Sequence, residues 1–226
     1  MALTIACAGC GDGAEARADA ERAVADSAAV ANAPALLNPS RMRDTAPPIF
    51  RARFETSAGP FVVEVRRDWS PRGADRFFNL VKAGYFDSVY VHRVIPGGIA
   101  QFGFYPDPRI NNLWLHKPIG DDPPRESNRR GTITFAHSGL NTRTAQVFIN
   151  LRDNTQFDDD KFVPFGEVVE GMEAVDALYD GYGELAPQGA GPDAGQAAYR
   201  GNAYLKEGFP NLSQILTATV AEPVSP

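Results

Sequence analysis

Apolar and polar positions alternate with a period of two at the first strongly patterned stretch of the chain. Phe50, Ala52, Phe54 and Thr56 stand against Arg51, Arg53 and Glu55, which predicts a strand with one buried face. Ser57-Ala58-Gly59-Pro60 is a turn signal, and Phe61–Val65 resumes as a strand, so the two read as a hairpin. The period then changes. Ser70 is placed as an N-cap and Pro71 at the first helical position; Ala74, Phe77, Phe78 and Val81 form an apolar stripe, and Gly84 is the stop. Short strands recur at Val89–Ile95, Thr132–Ala136, Gln146–Asn150 and Val163–Val168, and Thr217–Val220 reads as a closing strand. Met172–Tyr179, with Met172, Val175 and Leu178 on one face, predicts a second helix. Many short strands with two isolated helices favour a mainly β architecture, a closed barrel or sandwich, over a βαβ sheet.

Composition adds boundaries to this pattern. The chain has 226 residues, 43% of them hydrophobic, enough for one large domain or two small ones. All 14 Phe, 7 Tyr and 2 Trp lie at or beyond Phe50. Residues 1–48 are Ala-rich and have little large apolar surface to offset the entropy of ordering, so they read as a flexible leader before a folded domain at 49–226. A second Gly-, Ala- and Pro-rich stretch begins at Gly181 and predicts an irregular excursion over 181–210. Leu205, Phe209, Leu212, Ile215 and Leu216 then supply apolar surface to dock the tail. Met1–Cys10 is small and apolar and looks like the end of a lipoprotein signal, with Cys7 or Cys10 as the lipid-bearing residue, although no basic segment precedes it. That reading makes the leader a tether and the location extracytoplasmic, periplasmic in a bacterium; a cytoplasmic protein is the alternative.

Several function classes drop out. With 28 Asp+Glu against 22 Lys+Arg, a net charge of −6, the chain carries no basic footprint for nucleic acid. No apolar run approaches the length of a membrane-spanning helix. Both Cys stand in the first ten residues, so the folded part holds no disulfide, cysteine nucleophile or Cys-based zinc site. His92, His116 and His137 are dispersed and lack metal-site spacing, and Asp158-Asp159-Asp160 lacks the alternating ligands of a calcium loop and reads as a solvated acidic turn. There is no G-x-S-x-G, phosphate loop or dinucleotide fingerprint, and no cofactor or metal is expected.

What remains is cationic and aromatic. Val91-His92-Arg93-Val94-Ile95-Pro96-Gly97-Gly98-Ile99-Ala100-Gln101 places an arginine on a strand, then a tight turn, then a glutamine. Gly131–Gly139, Gln146-Val147-Phe148-Ile149-Asn150 and Phe165-Gly166-Glu167-Val168-Val169-Glu170-Gly171-Met172 follow in order. These ordered blocks resemble the cyclophilins, the peptidyl-prolyl cis-trans isomerases, from about Phe50 to Tyr179, and suggest a bacterial member. The resemblance implies a closed antiparallel eight-stranded barrel capped by two helices. It implies that Arg93 and Gln101 are catalytic and that Ile99, Ala136, His137, Phe148, Phe157 and Phe162 bind substrate. Ile99 stands where a methionine is usual, His137 for an asparagine and Phe162 for a histidine. Gly98 replaces a pocket phenylalanine, and the missing aromatic wall should weaken proline binding unless a neighbour such as Phe104 fills the gap.

The implied chemistry suits these side chains. An X–Pro bond rotates over roughly 18–20 kcal/mol because amide resonance must be broken, and unaided exchange takes tens of seconds or more. A catalyst needs neither nucleophile nor metal; it needs a donor aimed at the twisted amide and an apolar anchor for the ring. The expected partners are proline-containing peptides and unfolded or exported proteins, bound by a monomer. A non-catalytic proline-peptide binding module on the same barrel is the alternative, and Gly98 is the residue that favours it.

Overall fold

The computed structural model describes residues 34–221. The alternating N-terminal pattern forms β1 (Ile49–Thr56) and β2 (Phe61–Arg66), antiparallel with Phe54 opposite Phe61. Further strands are β3 (Val91–Val94), β4 (Ile99–Phe102), β5 (Thr132–Phe135), β6 (Val147–Asn150) and β7 (Pro164–Glu170). A parallel pair, β8 (Leu185–Ala186) and β9 (Gly191–Asp193), precedes the last strand, β10 (Ile215–Ala221). Eight strands make one antiparallel sheet in the order β10-β1-β2-β7-β5-β6-β4-β3. The sheet curls until its edges meet. Val91 N–H donates to Ser213 O at 2.9 Å and Ile215 N–H to Val89 O at 2.8 Å, so a bridge at Tyr90 and Gln214 closes what would otherwise be an open edge.

The predicted helix is α1 (Pro71–Lys82), and its Phe77 enters the curl. Phe77 lies 4.9 Å from Phe165, Phe86 5.6 Å from Phe102, and Phe54 stacks on Phe61 at 4.8 Å, ring centre to ring centre. Each such ring withdrawn from water is worth about 1.5–3 kcal/mol, so this aromatic core is a major source of folding free energy. Ser70 sits at the N-cap position but does not cap. Its hydroxyl donates to Asp122 Oδ2 at 2.7 Å, and it is Asp122 that accepts the N–H groups of Arg72 (3.2 Å) and Gly73 (3.1 Å). The buried Arg143 donates from Nη2 to the same carboxylate at 3.0 Å, pinning the loops at 120–122 and 143 to the helix start.

Three expectations are corrected. The second helix is short, α3 (Met172–Asp176), and a helix that the pattern did not reveal, α2 (Pro108–Leu115), precedes it in the chain. Pro108 stands at a first-turn position that needs no N–H, and the Asp107 side chain accepts Arg109 N–H at 2.8 Å. The excursion over 181–210 is not irregular: it carries β8, β9, α4 (Ala194–Arg200) and α5 (Asn202–Gly208). Its helices each bury one apolar residue and no stripe; Ala197 and Leu205 pack with Tyr90, Phe104 and Leu212 as a second cluster. The supposed leader is also packed in part. Leu36 and Ala46 are buried, and Trp114 Nε1–H donates to Leu36 O at 3.1 Å, so residues without a single aromatic are held by one supplied from α2. The rest of the leader, residues 1–33 with Cys7 and Cys10, lies outside the described residues. Among the described residues no helix is long and apolar enough to cross a membrane.

Candidate active site

Strand register assembles the site. Arg93 on β3 stands opposite Gln101 on β4, Gln101 opposite Phe148 on β6, and Phe148 opposite Thr134 on β5. Residues paired in this way share a sheet face. Their neighbours Ala100, Phe102, Val147 and Ile149 occupy the core, so the row lies on the outer face. Arg93 Nη1–H donates to Gln101 Oε1 at 2.9 Å, and Gln101 Nε2–H donates to Gln146 Oε1 at 3.0 Å. At its other end Arg93 Nη2 meets Glu184 Oε2 at 2.6 Å.

An aromatic wall adjoins the row. Phe148 is 3% exposed, with Phe157 (5.8 Å) and Phe162 (5.5 Å) set edge-on to it, and Phe162 stacks on His137 at 4.0 Å. A 3-10 turn at Thr155–Asp158 carries Phe157. Asp158 accepts from the Ser127 hydroxyl and from Asn128 N–H (2.9 Å) and Nδ2–H (2.7 Å), while Asn128 Nδ2–H also donates to Phe162 O at 2.7 Å. The acidic run is therefore not merely solvated at Asp158. Burial works to raise that carboxyl, but the hydrogen bonds from Ser127 and Asn128 outweigh it and leave the group below the ordinary aspartate range.

Beside the wall runs a groove of about 490 Å³, lined by Gln101, Ala136, His137, Gln146, Leu185 and Ala194 among others. The eight residues singled out in the sequence thus converge: Arg93, Gln101 and Phe148 in the row, with Ile99 two residues from Gln101 on the same face of β4. Phe157, Phe162 and His137 form the wall, and Ala136 and His137 line the groove. Gln146, Glu184, Leu185 and Ala194 were missed. Gln146 was legible, two positions before Phe148 and so bound for the same face; Glu184 was not, being 91 residues from its partner.

Phe104 does not fill a gap at Gly98, because its ring packs against His92 at 4.4 Å within the second cluster. A side chain at Gly98 would put its Cβ 3.0 Å from Ile95 Cγ2, so a larger residue fits only if Ile95 yields. The buried His92 stays neutral, its pKa lowered to about 3 by burial and by the neighbouring Arg93 charge. Among the described residues no group of His, Cys, Asp and Glu is placed to hold a metal ion.

Comparison with known proteins identifies the fold and the family. Residues 51–190 match the family of cyclophilin type peptidyl-prolyl cis-trans isomerases. The chain is 34% identical over 131 residues to peptidyl-prolyl cis-trans isomerase CYP18-2 of Arabidopsis thaliana, spanning 55% of this chain and 77% of that one. A crystal structure of a Cryptosporidium parvum cyclophilin type isomerase superposes with a TM-score of 0.58 at 19% identity, covering 78% of this chain and 99% of that one. The same protein in the presence of the dipeptide Ala-Pro gives 0.56 at 20% identity over 76% and 99%. These solved structures share the curled eight-stranded fold, and the sequence match supplies the rest: the chain belongs to the cyclophilin-type peptidyl-prolyl cis-trans isomerases.

Proposed function

We propose that Arg93 is the catalytic group of this isomerase and that it acts through transition-state electrostatics. As the X–Pro amide twists, its nitrogen regains a lone pair, and a permanently charged guanidinium with a rigid fork of donors stabilises that state more than either planar isomer. Phe148, Phe157, Phe162 and Ile99 anchor the proline ring. Gln101, Ala136 and His137 hold the flanking chain while one side rotates. The observation that carries this reading is the cross-strand row Arg93–Gln101–Phe148, which sets a charged donor next to an apolar aromatic wall on one sheet face. The substrates proposed are X–Pro segments of unfolded or exported proteins, bound by a monomer. The bacterial, extracytoplasmic and lipid-anchored parts of the reading are supported by the small apolar stretch ending at Cys7 and Cys10 alone. Mass spectrometry of the native membrane fraction tests them, an acylated cysteine being the expected result.

Exchange NMR on a short X–Pro peptide reads binding and turnover in one sample. Arg93→Ala is expected to lower kcat/KM by about 10²–10³ while peptide affinity falls much less. Arg93→Lys should restore only part of the rate, because it keeps the charge and loses the fork. Wild-type protein that bound the peptide without accelerating exchange would mean a binding module. An Arg93→Ala variant as fast as wild type would remove Arg93 from the mechanism.

A further inference from the structure

Resting on that assignment of Arg93, we propose that Glu184 is a positioning residue for the isomerisation, holding the Arg93 guanidinium from the side opposite Gln101. The fork is gripped at both ends: Nη1 by the neutral Gln101 acceptor at 2.9 Å, Nη2 by the Glu184 carboxylate at 2.6 Å. Arg93 is 25% exposed and Glu184 34%, so the pair sits half sheltered at the edge of the groove. A guanidinium tied at one end sweeps an arc about its long side chain. Tied at both, it offers its remaining N–H groups in one direction, and the ordering is complete before substrate arrives.

The carboxylate is itself built in. Its second oxygen accepts Leu185 N–H at 2.7 Å, and the Glu184 carbonyl accepts Gly191 N–H at 2.8 Å. A Cβ at Gly189 or Gly191 would stand 2.4 or 2.7 Å from that carbonyl oxygen, so the fold-back around Glu184 requires glycine at both positions. Two residues on, Asp193 accepts Gln196 N–H at 2.7 Å at the start of α4, whose Ala197 is buried in the second cluster. Both carboxylate oxygens are occupied and the backbone behind them is anchored to the barrel. That is the construction of a fixed support, and it differs from a latch that swings aside when substrate enters. The segment that composition marked as an irregular excursion thereby completes the active site without touching the reacting bond.

The test is a double-mutant cycle read by exchange NMR. Glu184→Ala should lower kcat about tenfold while KM stays nearly unchanged, and Glu184→Gln, which keeps an acceptor of the same size, should recover most of the loss. In an Arg93→Ala background the Glu184→Ala effect should vanish. NMR of the Arg93 side chain supplies a reading independent of turnover: rotation about its Cζ–Nη bonds should quicken in Glu184→Ala. A Glu184→Ala variant with kcat at or above wild type would make the carboxylate a counter-charge that restrains Arg93, and the proposal would fall. An effect of equal size with and without Arg93, or unchanged side-chain rotation, would overturn it as well. Should Arg93→Ala alone turn over like wild type, the assignment of Arg93 fails and takes this proposal with it, an outcome distinct from the others. If the alanine variant does not fold, Glu184→Met, which keeps much of the bulk and loses the acceptor, carries the test and should show the same loss of about tenfold.

Discussion

Strands β4 and β6 turn Ala100, Phe102, Val147 and Ile149 inward and Ile99, Gln101 and Phe148 outward, and both sets are buried. The inner set is covered by sheet and helix: Phe102 meets Phe54 at 5.9 Å and Phe86 at 5.6 Å. The outer set is covered by loops and by other side chains of the candidate site, namely Phe157 and Phe162 from the 155–162 turn and Arg93 beside Gln101. Burial alone does not separate core from site. What separates them is the nature of the cover: rigid elements on one face, segments pinned by a few polar contacts on the other. A cavity opened on the inner face must therefore be borne by the whole fold, and one opened on the outer face by the substrate.

The sharpest way to break this distinction is to delete the same ring on each face. Phe102→Ala is expected to lose about 3–5 kcal/mol in denaturant unfolding, with kcat and KM of the remaining folded protein nearly unchanged. Phe148→Ala should lose less stability, since the half-buried Phe157 and Phe162 can settle into the gap, and should raise KM strongly. Equal stability losses with equal KM would show that the two faces are one core. Next in size is Leu36→Ala. Leu36 lies beneath Trp114 on the inner side although composition assigned it to a leader, and its truncation should cost about 2 kcal/mol, the low end for a buried leucine, without altering turnover. A melting temperature that did not change would return residues 34–48 to the role of tether.

The inner face was legible because alternation and the helical stripe on α1 report burial directly; Phe54 and Phe77 were placed by period alone. The outer row was legible only through the ordered blocks around Arg93, Gln101 and Phe148, since a buried aromatic in a strand has the same local pattern whether it serves core or pocket. The remaining misses share a cause. Glu184 acquires its role from a partner 91 residues away, Leu36 from a tryptophan 78 residues on, and α4 from an alanine that packs as well as a leucine where space is small. None of these leaves a periodic trace, because each depends on what tertiary packing brings opposite it.

The finest probe of the comparison is the pin beneath the outer cover, Asp158. Its carboxylate ties the Ser127–Asn128 loop to the turn bearing Phe157, and Asn128 in turn holds the Phe162 carbonyl. The pKa of Asp158 is depressed in the folded protein, so it stabilises the fold fully above the ordinary aspartate value of 3.8, and that contribution is lost as pH falls through the lowered folded value. The group is partly exposed, and removing its charge should cost only about 1 kcal/mol. Asp158→Asn is thus expected to lower the melting temperature slightly at neutral pH and to flatten its fall between pH 5 and the acid end. The larger consequence should be local. With the pin weakened, Phe157 and Phe162 close less firmly over Phe148, and the KM for an X–Pro peptide should rise while kcat, set by Arg93 in the role proposed for it, holds. If KM stayed at its wild-type value while stability dropped by several kcal/mol, Asp158 would belong with Phe102 as part of the framework, and the outer cover would be as rigid as the inner one.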